Sequence, residues 1–305
     1  MSQKKLISVI ATRSQGGSVI KSLLNAGNFK VRALLRNPDS EQSKELGSLG
    51  AEIVKCDIGT DSKEAIEKAI AGSDGLYLVT VFWNYMGKES EVGKKAVDAA
   101  LAAKIGHLVF SSLAPANKIS GGRYHVPHFD EKNAVEEYAR ELSKKHPEFK
   151  SSFVYAPFYM QNFNTFFKVQ KGADNEYSLS LPVDPSSKFP LDMADIDDIG
   201  PIVKGIFSNP TKYAGLSVPF SGSALTGDEI AQAISKNSGK PVKFNYVPTD
   251  IFAKAPFPGA SEMAEMFAYY NEFGAFDKLN KDLGKELTTL TTFDQFLQKN
   301  PIQFN

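Results

Sequence analysis

Short apolar-rich runs recur through the first half of the chain. They occupy residues 6–10, 29–36, 51–57, 75–80, 107–112 and 153–157, and helical periodicity fills most of the intervals between them. Runs of this length and composition are typical of parallel strands that are covered on both faces. The alternation of strands and helices therefore predicts an α/β fold, with a Rossmann-type, doubly wound parallel sheet formed by residues 1–160.

The pattern becomes looser after residue 160. Prolines interrupt residues 182–258 repeatedly, and helices are predicted only over 226–237 and 261–270. We expect residues 161–305 to form a smaller C-terminal α+β lobe that is interleaved with the sheet edge. Such a lobe would pack over the carboxyl ends of the strands and hold a substrate or a partner.

The first predicted strand leads into a tight turn and an amphipathic helix that begins near Gly16. A glycine-rich dinucleotide turn needs three small positions, for the turn itself, for close approach of phosphate, and for packing of the helix on the strand. Gly16 fits the packing position, whereas Ile10 and Arg13 stand at the other two. Taken alone, the turn is also compatible with a βαβ unit that packs well and binds no nucleotide.

Charged residues follow the ends of the second and third predicted strands. Arg36 lies twenty residues after Gly16, where an acidic residue would select NAD and an arginine accommodates the 2′-phosphate of NADP. An arginine at a strand end that simply extends into solvent is the alternative. Asp57 ends the third strand. Residues 81–86 are predicted to form an aromatic loop that either walls a pocket or covers the sheet edge.

Three side chains are candidates for catalysis. Lys132 heads the apolar stripe of the helix that follows the fifth strand, and His128 lies one turn before it. Ser111 is one of the two serines, Ser111 and Ser112, at the end of that strand. The alternative for Lys132 is that its stem reaches solvent from the first turn of the helix. His125 and His128 are three residues apart but have no matching carboxylate or cysteine pair, so no metal site is predicted.

Charge and cysteine content narrow the range of partners and compartments. Thirty-five basic residues balance thirty-five acidic ones, which argues against direct binding of nucleic acid. The longest apolar runs are shorter than a membrane span, and the first of them is too short for a signal peptide. The one cysteine, Cys56, cannot form an internal disulfide. We therefore expect a cytoplasmic protein that could also enter the nucleus.

The chain resembles the NmrA-like family, which consists of atypical relatives of the short-chain dehydrogenases/reductases. It is most similar to the NADP-sensing redox-sensor branch of that family. The resemblance covers nearly the whole chain and rests on residues 11–19, 31–38, 128–132 and 135–138, and, in the C-terminal lobe, on residues 179–182, 198–201 and 257–260.

The resemblance implies a binding site for NADP(H). Gln15 and Gly16 would line the pyrophosphate turn, Arg36 would hold the 2′-phosphate, and Asp57 would lie beside the adenine. Thr80 and Lys132 would lie along the nicotinamide half. The full set of implied cofactor-binding residues is Thr12, Arg13, Gln15, Gly16, Arg36, Asp57, Thr80, Lys132 and Tyr155.

Two positions depart from the family pattern. Arg13 replaces a glycine of the turn, and its guanidinium could offset the poorer backbone fit by contacting phosphate. His128 replaces the tyrosine of the reductase Tyr-x-x-x-Lys pair, although a histidine could also supply a proton near neutral pH.

Three functions follow from these observations. The first is a redox sensor that binds NADP(H), turns over little or no substrate and regulates a protein partner. The second is an NADPH-dependent oxidoreductase that reduces a small carbonyl or quinone compound. The third is a scaffold that has lost its cofactor. A homodimer is compatible with each of them.

Overall fold

The strands of the structure include all six predicted from the apolar runs. The computed structural model describes residues 3–172, 176–276 and 278–304. Its strands, in chain order, are β1 Lys5–Ile10, β2 Phe29–Leu35, β3 Glu52–Lys55, β4 Gly75–Leu78, β5 His107–Ser112, β6 Lys150–Tyr155, β7 Phe158–Tyr159, β8 Gln170–Lys171, β9 Tyr177–Leu181, β10 Leu191–Ala194, β11 Ser217–Pro219, β12 Ser223–Leu225 and β13 Val242–Tyr246.

Seven of these strands form the central sheet, in the spatial order β3-β2-β1-β4-β5-β6-β11. Every neighbouring pair in it is parallel. Two small sheets of the second half have the orders β12-β10-β7 and β13-β9-β8. The predicted doubly wound Rossmann-type fold is confirmed, and the order of strands reverses between β1 and β4, where such folds bind ligands.

Helices cover both faces of the central sheet. In chain order they are α1 Gln15–Asn25, α2 Glu41–Ser48, α3 Lys63–Ile70, α4 Phe82–Tyr85, α5 Glu89–Ala102, α6 Ala116–Ile119, α7 Pro127–Lys145, α8 Asn162–Thr165, α9 Ile199–Ser208, α10 Pro210–Tyr213, α11 Gly227–Ser238, α12 Thr249–Phe252, α13 Ala260–Phe273, α14 Asp282–Lys285 and α15 Phe293–Lys299, with a 3₁₀ turn over Ile196–Asp198. Helices α1, α2 and α9 pack on one face, and α3, α5 and α7 on the other. The strands therefore bury residues on both sides, which explains their nearly continuous apolar runs.

The second half of the chain returns to the first in two places. Helix α9 packs along α1, and β11 pairs with β6 at the sheet edge. The contact between α1 and α9 is close: a Cβ on Gly200 would lie 2.4 Å from the carbonyl oxygen of Ser18. Both α9 and β11 follow residue 160 in the chain but belong to the central layers.

Residues 81–86 correct one expectation. They were predicted to be an aromatic loop, but Phe82–Tyr85 form the single turn of α4. Trp83 lies against the C-terminal lobe, because a Cβ on Gly259 would meet its ring at 2.8 Å. The predicted helices over 226–237 and 261–270 are present as α11 and α13. Within the described residues, no helix is long and apolar enough to cross a membrane.

Candidate functional site

A cavity of about 480 Å³ opens at the carboxyl ends of β1, β2, β3 and β4. Its walls include Thr12, Arg13, Arg36 and Asp57, which are four of the residues predicted to bind a cofactor. These side chains come from loops that follow three different strands, so the parallel topology brings them to one edge of the sheet. The volume is in the range of small-molecule and cofactor sites.

The turn that begins the cavity is closed by Thr12. Its hydroxyl oxygen accepts the Gly16 amide at 2.9 Å, and its carbonyl oxygen accepts the Gly17 amide at 2.9 Å. Two donors at the start of α1 are therefore already bonded within the protein. Arg13 and Ser14 line the cavity and are exposed, so a ligand in the cavity could contact these two residues of the turn.

Gly16 holds α1 against the first strand. A Cβ at this position would lie 2.3 Å from the carbonyl oxygen of Ile10 and 2.8 Å from Cα of Ala11. Both neighbours are backbone atoms, so no side-chain movement relieves the contact. Gly16 has the packing role that a glycine-rich turn requires at its third small position.

Tyr85 closes the opposite side of the cavity. It belongs to α4, and its ring covers Gly59, where a Cβ would lie 2.6 Å from Tyr85 Cε1. Burial raises the pKa of the Tyr85 phenol, and the negative charges of Asp57 and Glu89 raise it further, against the effect of Arg36. Tyr85 is therefore an uncharged hydroxyl at neutral pH that can donate or accept a hydrogen bond.

Cys56 also lines the cavity, but it is buried. Burial raises the pKa of its thiol to about 12, with further contributions from Asp61 and Asp57. The thiolate is the reactive form of cysteine, so this side chain is poorly suited to thiol chemistry at neutral pH.

Lys132 lies beyond the cavity wall, in a buried cluster with Thr80 and Glu89. Its ammonium donates to the Thr80 carbonyl oxygen at 2.8 Å, to Thr80 Oγ1 at 3.1 Å and to Glu89 Oε1. Burial lowers the pKa of Lys132, and the Glu89 carboxylate opposes that shift. An ammonium group has three N–H bonds, and here each one has an acceptor within the protein.

The other candidate catalytic residues belong to separate hydrogen-bonded groups. His128 Nδ1 lies 2.7 Å from Oε1 of Glu262, a residue of α13 that also accepts the His128 amide. Ser111 is buried beside Tyr77 on the other face of the sheet, where its hydrogen bond opposes the strong rise that burial causes in the pKa of Tyr77. The structure does not bring His128, Lys132 and Ser111 together.

Gln15 links the turn to two phenols that the sequence analysis did not assign to the site. Its Oε1 accepts from the Tyr77 hydroxyl at 2.8 Å, and its Nε2 donates to the Tyr159 hydroxyl oxygen at 2.8 Å. Burial raises the pKa of both phenols. Tyr155, by contrast, points to α7, where its hydroxyl donates to Oε2 of Glu136 at 2.8 Å. Neither Gln15 nor Tyr155 lines the cavity.

Sequence reasoning missed Glu89, Tyr77 and Tyr159, whereas Tyr85 belongs to the aromatic segment 81–86 that was expected either to wall a pocket or to cover the sheet edge. The only signal for Tyr159 was its place just after the sixth strand, at the same edge of the sheet. His128 Nδ1 lies 2.7 Å from Glu262 Oε1, and the main-chain amide of His125 donates to Glu265. Within the described ranges, no three His, Cys, Asp or Glu side chains are grouped as metal ligands would be.

Comparison with known proteins extends over almost the whole chain. The NmrA-like family matches residues 3–297. An NmrA-like family domain-containing protein of Dictyostelium discoideum is 40% identical over 300 residues, which cover 97% of each chain. The NmrA-like family domain-containing oxidoreductase FrzB of a Cladobotryum species is 33% identical over 291 residues, covering 88% of this chain and 84% of that protein.

The fold has close structural counterparts. NmrA, described as a negative transcriptional regulator and crystallised in complex with NADP, superposes with a TM-score of 0.81 at 22% identity, covering 98% of this chain and 96% of NmrA. The same seven-stranded architecture thus occurs in a regulator, and an oxidoreductase is among the relatives in sequence. From its sequence and its fold together, the chain belongs to the NmrA-like family.

Proposed function

We propose that this protein binds NADP(H) in the cavity at the carboxyl ends of β1–β4 and acts as a redox sensor with little or no turnover. Its output would be a change in the C-terminal lobe that alters the binding of a protein partner or of a second copy of the chain. The proposed compartment is cytoplasmic, with access to the nucleus.

Several features of the cavity suit a phosphorylated dinucleotide. Gly16 allows α1 to begin close to β1, as a pyrophosphate turn requires. Arg13 and Arg36 line the cavity with exposed guanidinium groups, which are suited to phosphate oxygens. NADP is the ligand in a crystal structure of NmrA, which supports the same choice here. When bound, the nicotinamide would supply the redox state that the protein reads.

One observation favours a sensor over a reductase: the three N–H bonds of Lys132 are all used within the protein. Reduction of a carbonyl by hydride transfer needs an acid for the developing alkoxide, and a nearby lysine is what lowers the pKa of the usual tyrosine. Here Lys132 is paired with Glu89, and His128 occupies the tyrosine position while paired with Glu262. This arrangement provides no activated phenol.

The contacts of α1 give a route for the signal. Gln15 bonds Tyr159 of β7, and Ser18 both donates to the Asp197 carbonyl at 2.8 Å and accepts the Gly200 amide at 3.1 Å. The helix that starts at the cofactor turn is therefore attached directly to the second half of the chain. A ligand shifts that half only if it binds two arrangements with different affinity.

The alternative is an NADPH-dependent oxidoreductase acting on a small carbonyl or quinone compound. It is favoured by the hydroxyl of Tyr159, which receives a hydrogen bond from Gln15 and lies at the same end of the sheet as the cofactor turn. The relative named as an oxidoreductase supports the same alternative. Against it, burial raises the pKa of Tyr159, which makes the phenol a weaker acid.

A two-stage assay with purified protein separates these functions. NADPH is titrated by its nicotinamide fluorescence, and the complex is then mixed with a panel of aldehydes and quinones while absorbance is followed. We expect saturable binding with no loss of absorbance. Turnover that is abolished by His128→Ala or Tyr159→Phe would establish the reductase instead, and absence of NADPH binding would leave a scaffold that has lost its cofactor.

A further inference from the structure

Helix α4 is a single turn that has different neighbours on its two sides. On one side, Asn84 and Tyr85 line the cavity, and the ring of Tyr85 covers the loop after β3 at Gly59. On the other side, Phe82 and Trp83 point away from the cavity and do not line it. A four-residue turn therefore carries both a part of the cavity wall and two aromatic rings that face elsewhere.

The outer side of α4 rests on the C-terminal lobe. Gly259 is the N-cap of α13 and has a φ of 86°, and a Cβ there would lie 2.8 Å from Cη2 and from Cζ3 of Trp83. The ring centroids of Trp83 and Phe82 lie 6.0 and 5.9 Å from that of His128. His128 in turn pairs with Glu262 in the first turn of α13. Trp83 therefore reaches the start of α13 both directly and through His128.

Packing holds α4 in place. Its main-chain hydrogen bonds are local, such as the bond from the Met86 amide to the Phe82 carbonyl oxygen at 2.9 Å. Of the described side chains from 81 to 86, none has a hydrogen-bond partner. Trp83 and Met86 remain 44% and 66% exposed. Segments with few tertiary hydrogen bonds shift at low free-energy cost, so the packing contacts on its two sides determine how firmly this turn is held.

We propose that α4 couples occupancy of the cavity to the C-terminal lobe. A ligand that packs against Tyr85 stabilises the turn, and the stabilised turn holds Trp83 more firmly against Gly259 at the start of α13. The coupling is reciprocal, so the Trp83 contact also strengthens binding in the cavity. The inference rests on the proposed binding of NADP(H), and it adds a connection to the lobe that does not pass through α1.

The fluorescence of Trp83 reports this contact alone, because it is the only tryptophan of the chain. The ligand for the test is 2′,5′-ADP, the adenosine half of NADP, which lacks the nicotinamide whose reduced form absorbs tryptophan emission. This half suits the test because Tyr85 lies within range of the charges of Arg36 and Asp57 in the same cavity. Calorimetry measures binding separately from the fluorescence.

We expect saturating 2′,5′-ADP to reduce the quenching of Trp83 by acrylamide, since the ring is held more closely on the lobe. Tyr85→Ala should bind 2′,5′-ADP more weakly and, at saturation, should lack the reduction in quenching. Tyr138→Ala is the matched control, because Tyr138 is also half-buried but lies on α7 and does not line the cavity. It should retain the full reduction.

Two apolar residues on either side of Tyr85 give the reciprocal test. Trp83→Ala removes the contact with the lobe without removing a cavity-lining side chain, and we expect it to raise the Kd of 2′,5′-ADP about fivefold or more, as is typical of coupling between sites. Trp83→Phe keeps a ring on Gly259 and should restore most of the affinity. Met86→Ala removes a more exposed side chain and should change the Kd by less than about twofold.

The outcomes separate this inference from the proposed function. Binding of 2′,5′-ADP with unchanged quenching, an undiminished effect in Tyr85→Ala, or wild-type affinity in Trp83→Ala would each overturn the coupling and leave the proposed cofactor site intact. If the wild-type chain bound neither 2′,5′-ADP nor NADPH, the proposed function would be wrong and the coupling with it. Thermal unfolding verifies that each variant folds.

Discussion

The two adjacent glycines of the turn should respond in opposite ways to the same substitution. In Gly16→Ala the new Cβ would lie 2.3 Å from the Ile10 carbonyl oxygen, and only backbone movement can relieve the overlap. In Gly17→Ala the nearest atom, the Thr12 carbonyl oxygen, would be 3.7 Å away, which is an ordinary contact. Both positions are buried in the first turn of α1, so the comparison isolates packing against the strand.

The expected magnitudes follow from these distances. Gly16→Ala requires α1 to move from β1 by roughly 1 Å, and overpacking of this kind costs about 1–3 kcal/mol. Gly17→Ala should instead stabilise the helix by about 0.5–1 kcal/mol, because alanine loses less backbone entropy than glycine. For a chain of this length, each kcal/mol shifts the melting temperature by about 1.5 °C.

Thermal unfolding followed by circular dichroism measures both variants, and NADPH titration shows the effect on the turn. We expect Gly16→Ala to melt about 1.5–4.5 °C below the wild type and to bind NADPH more weakly, because the shift of α1 moves the turn. Gly17→Ala should melt at or slightly above the wild-type temperature. Equal melting temperatures for the two variants would refute the argument from close packing.

Three further predictions concern charge. If Arg36 contacts the 2′-phosphate, NADPH should bind roughly tenfold or more tightly than NADH, and titration of Arg36→Glu should show that preference lost; equal wild-type affinities would contradict the assignment. If Arg13 contacts phosphate, Arg13→Gly should make NADPH binding less sensitive to salt, whereas tighter binding with an unchanged salt dependence would show that Arg13 only obstructs the turn. Burial lowers the pKa of His107 to about 4 from 6.5, so the unfolded chain takes up a proton before the folded chain does. As the pH drops from 6.5 to 4, this difference should lower the free energy of unfolding by about 3 kcal/mol. The free energy of unfolding of His107→Asn, measured over the same pH range, should lack this part of the decrease.

The central sheet could be predicted because its strands are covered on both faces. In β4, Leu76 and Leu78 pack into one core and Tyr77 into the other, so every position is apolar and the run stands out in the sequence. The short strands of the second half, such as β9 and β13, lack this signal. Half of their positions are polar or exposed, and their pairing joins segments far apart in the chain.

The residues of the cavity were predictable for a related reason. Thr12, Arg36 and Asp57 follow strand ends directly, and a parallel sheet places such positions together. Side-chain partners were not predictable, because they depend on packing between distant elements. Lys132 meets Glu89 across 43 residues of sequence, and Gln15 meets Tyr159 across 144. Periodicity placed Lys132 on the inner face of its helix but gave no indication of what it meets there.

The return of α9 and β11 to the central layers determines how the chain could be divided. A fragment that stopped at residue 160 would lack α9, the helix that packs along α1. It would also lack β11, so the main-chain N–H and C=O groups along the outer edge of β6 would have no partner strand. An apolar helix face and an unpaired strand edge promote aggregation. Residues 1–160 are therefore not expected to fold as an independent unit. Fusion partners, split reporters and hybrid chains built from relatives need junctions that keep residues 199–219 with the first half.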